Sequence, residues 1–315
     1  MSSSAPLFIV FNIASGQDAA LAVRDAIGRA CDAAAREVRV MVVEDPLRIA
    51  DLAREAVRLA CQSKGIVVAA GGDGTINAVA QVALGNECAF GVLPQGTFNY
   101  FSRAHGIPVD IDAALQVLLH ENARPVQVGL VNAQVFLVNA SLGLYPKLLE
   151  DREAWKAQFG RSRLVAFGAG LSSLLRGDRD LHLKIDVHGV EREIRTPTLF
   201  VGNNALQMEQ LGFNEASAID AGLLAGIVLK PVSRIGMLGL LVRGAFGQLG
   251  AADDVVNFAF RSLTVHSPRG TGGRRVKVAT DGEISWQTLP LTFRVSPAPL
   301  LLIRPGTPAA ERQTT

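Results

Sequence analysis

At 315 residues and 49% hydrophobic content, the chain has room for about two domains of ordinary size and enough apolar material for real cores, which excludes a disordered protein. Lys and Arg number 31 against 29 Asp and Glu, a formal net charge of +2, so no global field recruits nucleic acid and an anionic partner must be met locally. Three widely spaced cysteines, Cys31, Cys61 and Cys88, form no Cys-x-x-Cys pair and point to buried thiols in a reducing compartment, not to disulfides or bound metal.

The opening Met1-Ser2-Ser3-Ser4-Ala5-Pro6 lacks the basic and long apolar regions of a signal peptide, so a cytoplasmic protein is expected. Strand and helix patterns then alternate: Leu7 to Phe11 and Ala19 to Ala35; Val38 to Val43 and Leu47 to Ala60; Ile66 to Ala70 and Ile76 to Leu84; Ala89 to Leu93 and a short helix near Phe101. Such alternation predicts parallel βαβ units. In the third helix Ile76, Val79, Ala80 and Ala83 share one face, and Thr75 stands where an N-cap would be.

Ligands of parallel α/β sheets gather at the carboxyl ends of the strands. Three loops qualify: Asn12-Ile13-Ala14-Ser15-Gly16, Gly71-Gly72-Asp73-Gly74-Thr75, and Pro94-Gln95-Gly96-Thr97-Phe98-Asn99. Each carries glycine with a small hydroxyl or amide, groups that hydrogen-bond phosphate or ribose without steric cost. In the second loop a buried strand ends in glycines before a helix, so backbone N–H groups and the helix dipole face one spot, a phosphate cradle. Asp73 adds a hard oxygen ligand for Mg²⁺. No Gly-Lys-Ser or Gly-Lys-Thr opens a helix, and the dinucleotide fingerprint fails at Asn77 where its third glycine would stand.

Beyond about Arg124 short β-type runs take over: Val126 to Val131, Val135 to Asn139, Leu183 to Val187, Thr198 to Val201, Ile227 to Leu229, Phe258 to Phe260 and Val276 to Ala279. They predict a mostly antiparallel second domain, interrupted by helical stretches from about Glu150 to Leu175 and Ile235 to Leu249. The apolar part of the first, Leu164 to Leu175, bracketed by Arg161, Arg163 and Arg176, would be about 18 Å long as a helix, too short to span a bilayer. It reads as a core helix with solvated ends, or as a membrane-surface contact. His105, His120, His182, His188 and His266 lack zinc spacing. Arg269, Arg274, Arg275 and Lys277 form a basic cluster, a solvated face or an attraction for anionic headgroups or ATP phosphates. Glu283 follows the tight Asp281-Gly282 turn and projects from a strand end; taken alone it reads as a solvated turn glutamate.

Taken in order, these segments resemble the diacylglycerol kinase catalytic domain family, which includes sphingosine, ceramide and bacterial lipid kinases. The resemblance rests on Asn12 to Gly16, Gly71 to Asn77, Leu93 to Asn99, Val138-Asn139-Ala140-Ser141-Leu142-Gly143, Val201-Gly202-Asn203-Asn204, Ile219-Asp220-Ala221-Gly222-Leu223-Leu224 and Asp281-Gly282-Glu283, and covers nearly the whole chain. It implies a phosphofructokinase-like α/β ATP-binding domain over 5–126 and a β-sandwich lipid-substrate domain over 127–299, with a strand near 300–304 as a candidate to return to the first. The active site would lie in the cleft between them, and lipid would enter from the membrane. Asn12, Ser15, Gly71, Gly72, Asp73, Gly74, Thr75, Ile76, Asn77, Gly96, Thr97 and Asn99 would bind ATP. Asp73 and Asp220 would serve Mg²⁺, and Glu283 would be the general base.

The chemistry asks for the same groups: transfer of the γ-phosphoryl to an alcohol needs charge neutralisation by Mg²⁺ and donors, and a carboxylate to take the hydroxyl proton. The chain departs from the family at Tyr100, at Gln127 and at Ala221, where the family often carries a carboxylate. A neutral Gln can hydrogen-bond but supplies no charge to a metal network. The expected function is thus an ATP- and Mg²⁺-dependent lipid kinase acting on a diacylglycerol-like alcohol, with transient membrane-surface contact. A homodimer is compatible with the sequence. Two other readings are an NAD kinase, which shares the Gly-Gly-Asp-Gly-Thr loop but not the glycine-rich segment that comes next in that family, and a catalytically impaired regulatory protein.

Overall fold

A computed structural model describes residues 5–13, 17–143, 181–187, 190–213, 216–232, 252–267 and 273–306, with isolated positions between 146 and 250. They fall into two compact units, one up to Gln127 and resumed at Pro297, the other from Val128 to Ser296.

In the first unit the apolar runs become β1 (Leu7–Asn12), β2 (Val38–Val43), β3 (Ile66–Gly71) and β4 (Ala89–Pro94), followed by β5 (Ala123–Val126). The sheet order is β2, β1, β3, β4, then the chain's closing strand Leu300–Ile303, then β5. The first four strands are parallel, and the closing strand runs parallel to β4 and antiparallel to β5. Every residue of β3 and β4 is buried, which is why these strands read as continuous apolar runs and not as alternations. Helices α1 (Gln17–Ala33), α2 (Ile49–Ser63), α3 (Asp73–Ala83), α4 (Tyr100–Ala104) and α5 (Ile111–His120) complete the unit, with α2 packed on α3 and α1 on α5. The chain moves outward from β1 to β2 and back past β1 to β3, so the topological switch point lies between β1 and β3.

Helix α3 buries the expected face, Ile76, Val79, Ala80 and Ala83. Its N-cap, however, is Gly72, and Thr75 lies inside the first turn, turned inward. Helix α5 was not among the expected elements, although it carries a start signal: the Asp110 carboxylate accepts the Ala113 N–H at 2.9 Å, and Ala114, Leu115, Leu118 and Leu119 come after it at helical spacing. Cys31 and Cys88 are buried as expected, but Cys61 is exposed on α2. It lies against Cys88, whose thiol is pushed up to about 12 by burial first and then by its Cys61 partner.

The second unit is an antiparallel sandwich. One sheet orders β10 (Val190–Thr196), β9 (Leu181–Val187), β14 (Ser262–His266), β17 (Leu291–Val295), β6 (Gly129–Val131) and β7 (Gln134–Phe136). The other orders β13 (Val255–Phe260), β12 (Leu224–Leu229), β11 (Thr198–Gly202), β8 (Asn139–Gly143), β15 (Arg275–Thr280) and β16 (Glu283–Thr288). Phe136, Leu183, Val265 and Phe293 from one sheet meet Leu142, Val201, Leu224 and Val278 from the other in one buried core. Helices α6 (Ala205–Gln210) and α7 (Ala216–Asp220) set Met208 and Ile219 on Ala225 and Ile227, outside that core.

The fold class is the expected α/β domain followed by a β domain. Two expected strands are each divided. The run Val126 to Val131 ends one unit in β5 and opens the other in β6, while Val135 to Asn139 crosses from β7 in one sheet to β8 in the facing one. Apolar content alone does not mark where a chain changes sheets. The helical stretches expected near 150–175 and 235–249 lie outside the described residues, isolated positions apart. Among the described residues no helix is long and apolar enough to cross a membrane.

Candidate functional site

At the carboxyl ends of β1, β3 and β4 the three loops of the first unit are tied to one another. The Asn12 side-chain amide at the end of β1 donates to Thr75 Oγ1 at 2.9 Å, bridging the switch point. The Gln95 N–H donates to the Gly71 carbonyl at 2.8 Å, joining the loops after β3 and β4. Their close approach needs glycine at position 96: a Cβ there would lie 3.0 Å from Gly72 Cα and 2.8 Å from Asn99 Oδ1. Asn99, buried and left-handed at φ +49°, closes the loop with both ends of its amide. Its Oδ1 accepts the Gly96 N–H at 2.9 Å and its Nδ2 donates to the Gly96 carbonyl at 2.8 Å. Asn99 therefore shapes the loop, and the exposed Thr97 is left at its tip.

Asp73 opens α3, where the first-turn N–H groups have no capping side chain. Burial pushes its carboxyl above the usual aspartate range, and the backbone N–H groups of Phe101, Asn99 and Tyr100 oppose that shift without cancelling it. The Oδ1 atom is buried and has no hydrogen-bond partner. A buried carboxylate oxygen facing no donor is a position that a hard cation fits. Among the described residues no three His, Cys, Asp or Glu side chains cluster, so a Mg²⁺ here would take Asp73 as its protein ligand and complete its shell from phosphate oxygens and water.

The polar motifs of the second unit also converge. Register pairs Gly202 of β11 with Asn139 of β8 and Thr280 of β15 with Ala140, so Asn139, Asn203, Asn204 and Thr280, all buried, gather at one end of the sheet. Asn139 Nδ2 donates to Gln207 Oε1 at 3.1 Å, and Asn203 Nδ2 donates to the Leu137 carbonyl at 3.0 Å. Asp281 and Gly282 form the two-residue turn between β15 and β16, both with positive φ, +48° and +91°. The Asp281 carboxylate accepts three backbone N–H groups, from Leu137 at 2.7 Å and from Val138 and Asn139 at 2.9 Å. This clamp fixes the start of β16, where Glu283 stands. Glu283 keeps access to solvent, yet the protein around it desolvates the carboxylate and raises its pKa above the ordinary glutamate value.

Asp220 ends α7 exposed, with no second metal-binding side chain gathered about it among the described residues. Gln127 is half-buried at the boundary of the two units. Ser15, the apolar segment near 164–175 and Arg269 lie outside the described residues. Three further features lie beyond the expected site residues: the Asp281 anchor, Gln134, whose amide links Thr280, Ser285 and Gln287, and the stacked Phe98 and Tyr100 rings, 5.8 Å apart. The Asp-Gly turn was the available signal for the first; the other two depend on pairings across strands and a loop.

Two family models match in sequence: the diacylglycerol kinase catalytic domain over residues 6–131, and the YegS C-terminal NAD kinase beta sandwich-like domain over 151–304. A protein of Pseudomonas aeruginosa (strain UCBPP-PA14) named as a probable YegS-like lipid kinase is 32% identical over 233 residues, 70% of this chain and 73% of that protein. The diacylglycerol kinase of Bacillus subtilis (strain 168) is 40% identical over 184 residues, 57% of this chain and 60% of that enzyme. A Cronobacter sakazakii protein, also named as a probable YegS-like lipid kinase, matches over only 45% of its own length, at 34% identity. A solved structure from Bacillus anthracis, described as a candidate diacylglycerol kinase, superposes with a TM-score of 0.72 over 97% of this chain and 99% of that one. At 22% identity that likeness speaks to the fold.

Proposed function

The chain belongs to the YegS-like lipid kinases of the diacylglycerol kinase family, and from that premise we propose that it transfers the γ-phosphoryl group of ATP to the hydroxyl of a diacylglycerol-like lipid. The observation that carries the proposal is Asp73, with one buried oxygen lacking a partner, beside the uncapped first turn of α3 at the switch point of the sheet. Gly71 to Asn77 and the Gly96 loop would hold the nucleotide, with α3 N–H groups facing its phosphates. Mg²⁺, when bound, supplies neutralisation of the phosphate charge. Asp73 Oδ1 would hold it.

Glu283 would take the proton of the lipid hydroxyl. A desolvated carboxylate suits this task, because a raised pKa brings its basicity closer to the operating pH. The turn that presents it is held by Asp281 through three backbone amides, so the base starts from a fixed position. Peripheral contact with a membrane follows from an acceptor that resides there, and a cytoplasmic location from its use of ATP.

The test offers γ-labelled ATP and Mg²⁺ with mixed lipid micelles or with NAD. Label in the organic phase, reduced about 10²- to 10⁴-fold in Glu283→Gln, is the expected result. Label in NADP would favour a pyridine-nucleotide kinase, and ATP binding with no product across a broad lipid panel a regulatory protein.

A further inference from the structure

The β15–β16 hairpin carries a surface that catalysis does not use. Its register sets Lys277 opposite Trp286 and Arg275 opposite Thr288, while the intervening Val276 and Val278 turn to the sandwich core. Trp286 consequently points outward and is 55% exposed on the edge strand of its sheet. The Arg275 guanidinium lies 5.4 Å and the Lys277 ammonium 5.3 Å from the centre of its ring. Two cations over an exposed indole hold it upright in a fixed pose. A third cation, Arg274, precedes them, whereas the acidic residues of the hairpin, Asp281 and Glu283, stand at its turn. Asp281 is already occupied by backbone amides. Charge is thus separated along the hairpin, with the indole at the basic end.

We propose that Trp286, with Arg275 and Lys277, is the surface that seats this protein on an anionic phospholipid bilayer. An indole belongs at the headgroup level, where its apolar body and polar N–H are both satisfied, and Lys and Arg there meet lipid phosphates. The inference rests on the lipid kinase reading for its purpose, because Glu283 lies three residues along the same strand, about 10 Å at 3.4 Å per residue. Glu283 projects from the opposite face of that strand, so seating Trp286 among headgroups holds the strand that carries the proposed base beside the bilayer without inserting the base into it.

The test is co-sedimentation of the full chain with vesicles of phosphatidylcholine alone and of phosphatidylcholine mixed with phosphatidylglycerol. It is paired with indole fluorescence in a Trp155→Phe background. The expected result is tighter binding to the anionic vesicles with a blue shift of Trp286, and a loss of roughly thirtyfold in the Arg275→Ala, Lys277→Ala double variant. Trp286→Ala should lose binding and Trp286→Phe should retain part of it, all with unchanged melting temperature, since these side chains lie at the surface. Equal binding by Trp286→Ala and wild type overturns the proposal. So does a concentration-dependent dimer that Trp286→Ala abolishes, which would make this edge a protein interface. Transfer to a short-chain diacylglycerol in monomeric solution should be the same in Trp286→Ala and wild type. If wild type transfers nothing there while vesicle binding still depends on Trp286, the lipid kinase reading fails and the docking surface stands.

Discussion

Two aspartates, one in each unit, face three backbone N–H groups and differ in what is left over. Asp281 distributes its contacts over both oxygens, with Leu137 on Oδ2 and Val138 and Asn139 on Oδ1. Asp73 faces the amides of Asn99, Tyr100 and Phe101, yet its Oδ1 stays buried without a partner. A carboxylate whose oxygens are all used is an anchor. One that keeps a bare oxygen in a desolvated place has room for a further partner, and a hard cation fits it. The same contrast separates their surroundings: Asp281 orders a hairpin, whereas Asp73 lies among glycine loops at the open end of a helix.

The largest effect should come from breaking the anchor. Asp281→Ala leaves three N–H groups without their charged acceptor, so a loss of roughly 4 kcal/mol of stability is expected in denaturant melts. Asp281→Asn keeps an acceptor for Val138 and Asn139 and tolerates the left-handed backbone, so it should lose about half as much. Equal losses in the two variants would show that the turn conformation, and not the carboxylate, holds the hairpin.

How far this could be read from the sequence depends on where each feature gets its information. The Gly71 loop, the α3 face and the Asp-Gly turn are local, and local chemistry specifies them. The strand β10 was not anticipated, because Glu191, Arg192, Glu193 and Arg195 make it a charged edge strand in which only Ile194 and Thr196 turn inward, too few for an apolar alternation. Asp281 reaches residues more than 140 positions earlier in the chain, and no spacing rule connects it to Leu137. Thr75 looked like a cap because it precedes the apolar face, but Gly72 has the extended backbone of a cap, and Thr75 is drawn inward to accept from Asn12. Cys61 and Cys88 likewise looked unrelated in sequence and meet only in the fold, one on α2 and the other just before β4.

Asp73→Asn should separate the two kinds of aspartate. Phosphoryl transfer is expected to fall about 100-fold, with the loss partly recovered at high Mg²⁺ if the missing charge had served the metal. Stability should be unchanged or slightly improved, since a neutral amide replaces a carboxylate that burial disfavours. A drop in melting temperature as large as that of Asp281→Ala would make Asp73 an anchor too. For Gly96→Ala, the added carbon meets Gly72 Cα and Asn99 Oδ1, and a cost of roughly 2 kcal/mol should appear as weaker ATP binding with little change in turnover at saturation.

The smallest effect is a pH dependence of the first unit. Burial, and after it the charge of Arg304, lowers the His105 pKa from 6.5 to about 4, and its ring packs edge-on against Phe101, one of the residues whose N–H faces Asp73. A base whose folded pKa is depressed binds its proton more readily when unfolded. As pH falls from about 6.5 to about 4 the unfolded chain gains a proton that the native state refuses, and stability declines across that window. Asp73 works in the opposite sense: its raised pKa means that the native state holds the acidic form longer, so its contribution is present at low pH and lost as pH rises through its folded pKa. A net loss of roughly 1 to 2 kcal/mol is expected on acidification, removed in His105→Phe and enlarged in Asp73→Asn, where the opposing carboxylate is gone. Hydrogen exchange should place the loss in β3, β4 and α4, with the strands around Asp281 unaffected. If the amides of β8 and β15 weaken over the same pH range, the two units do not respond separately and the contrast between their aspartates is not a local property.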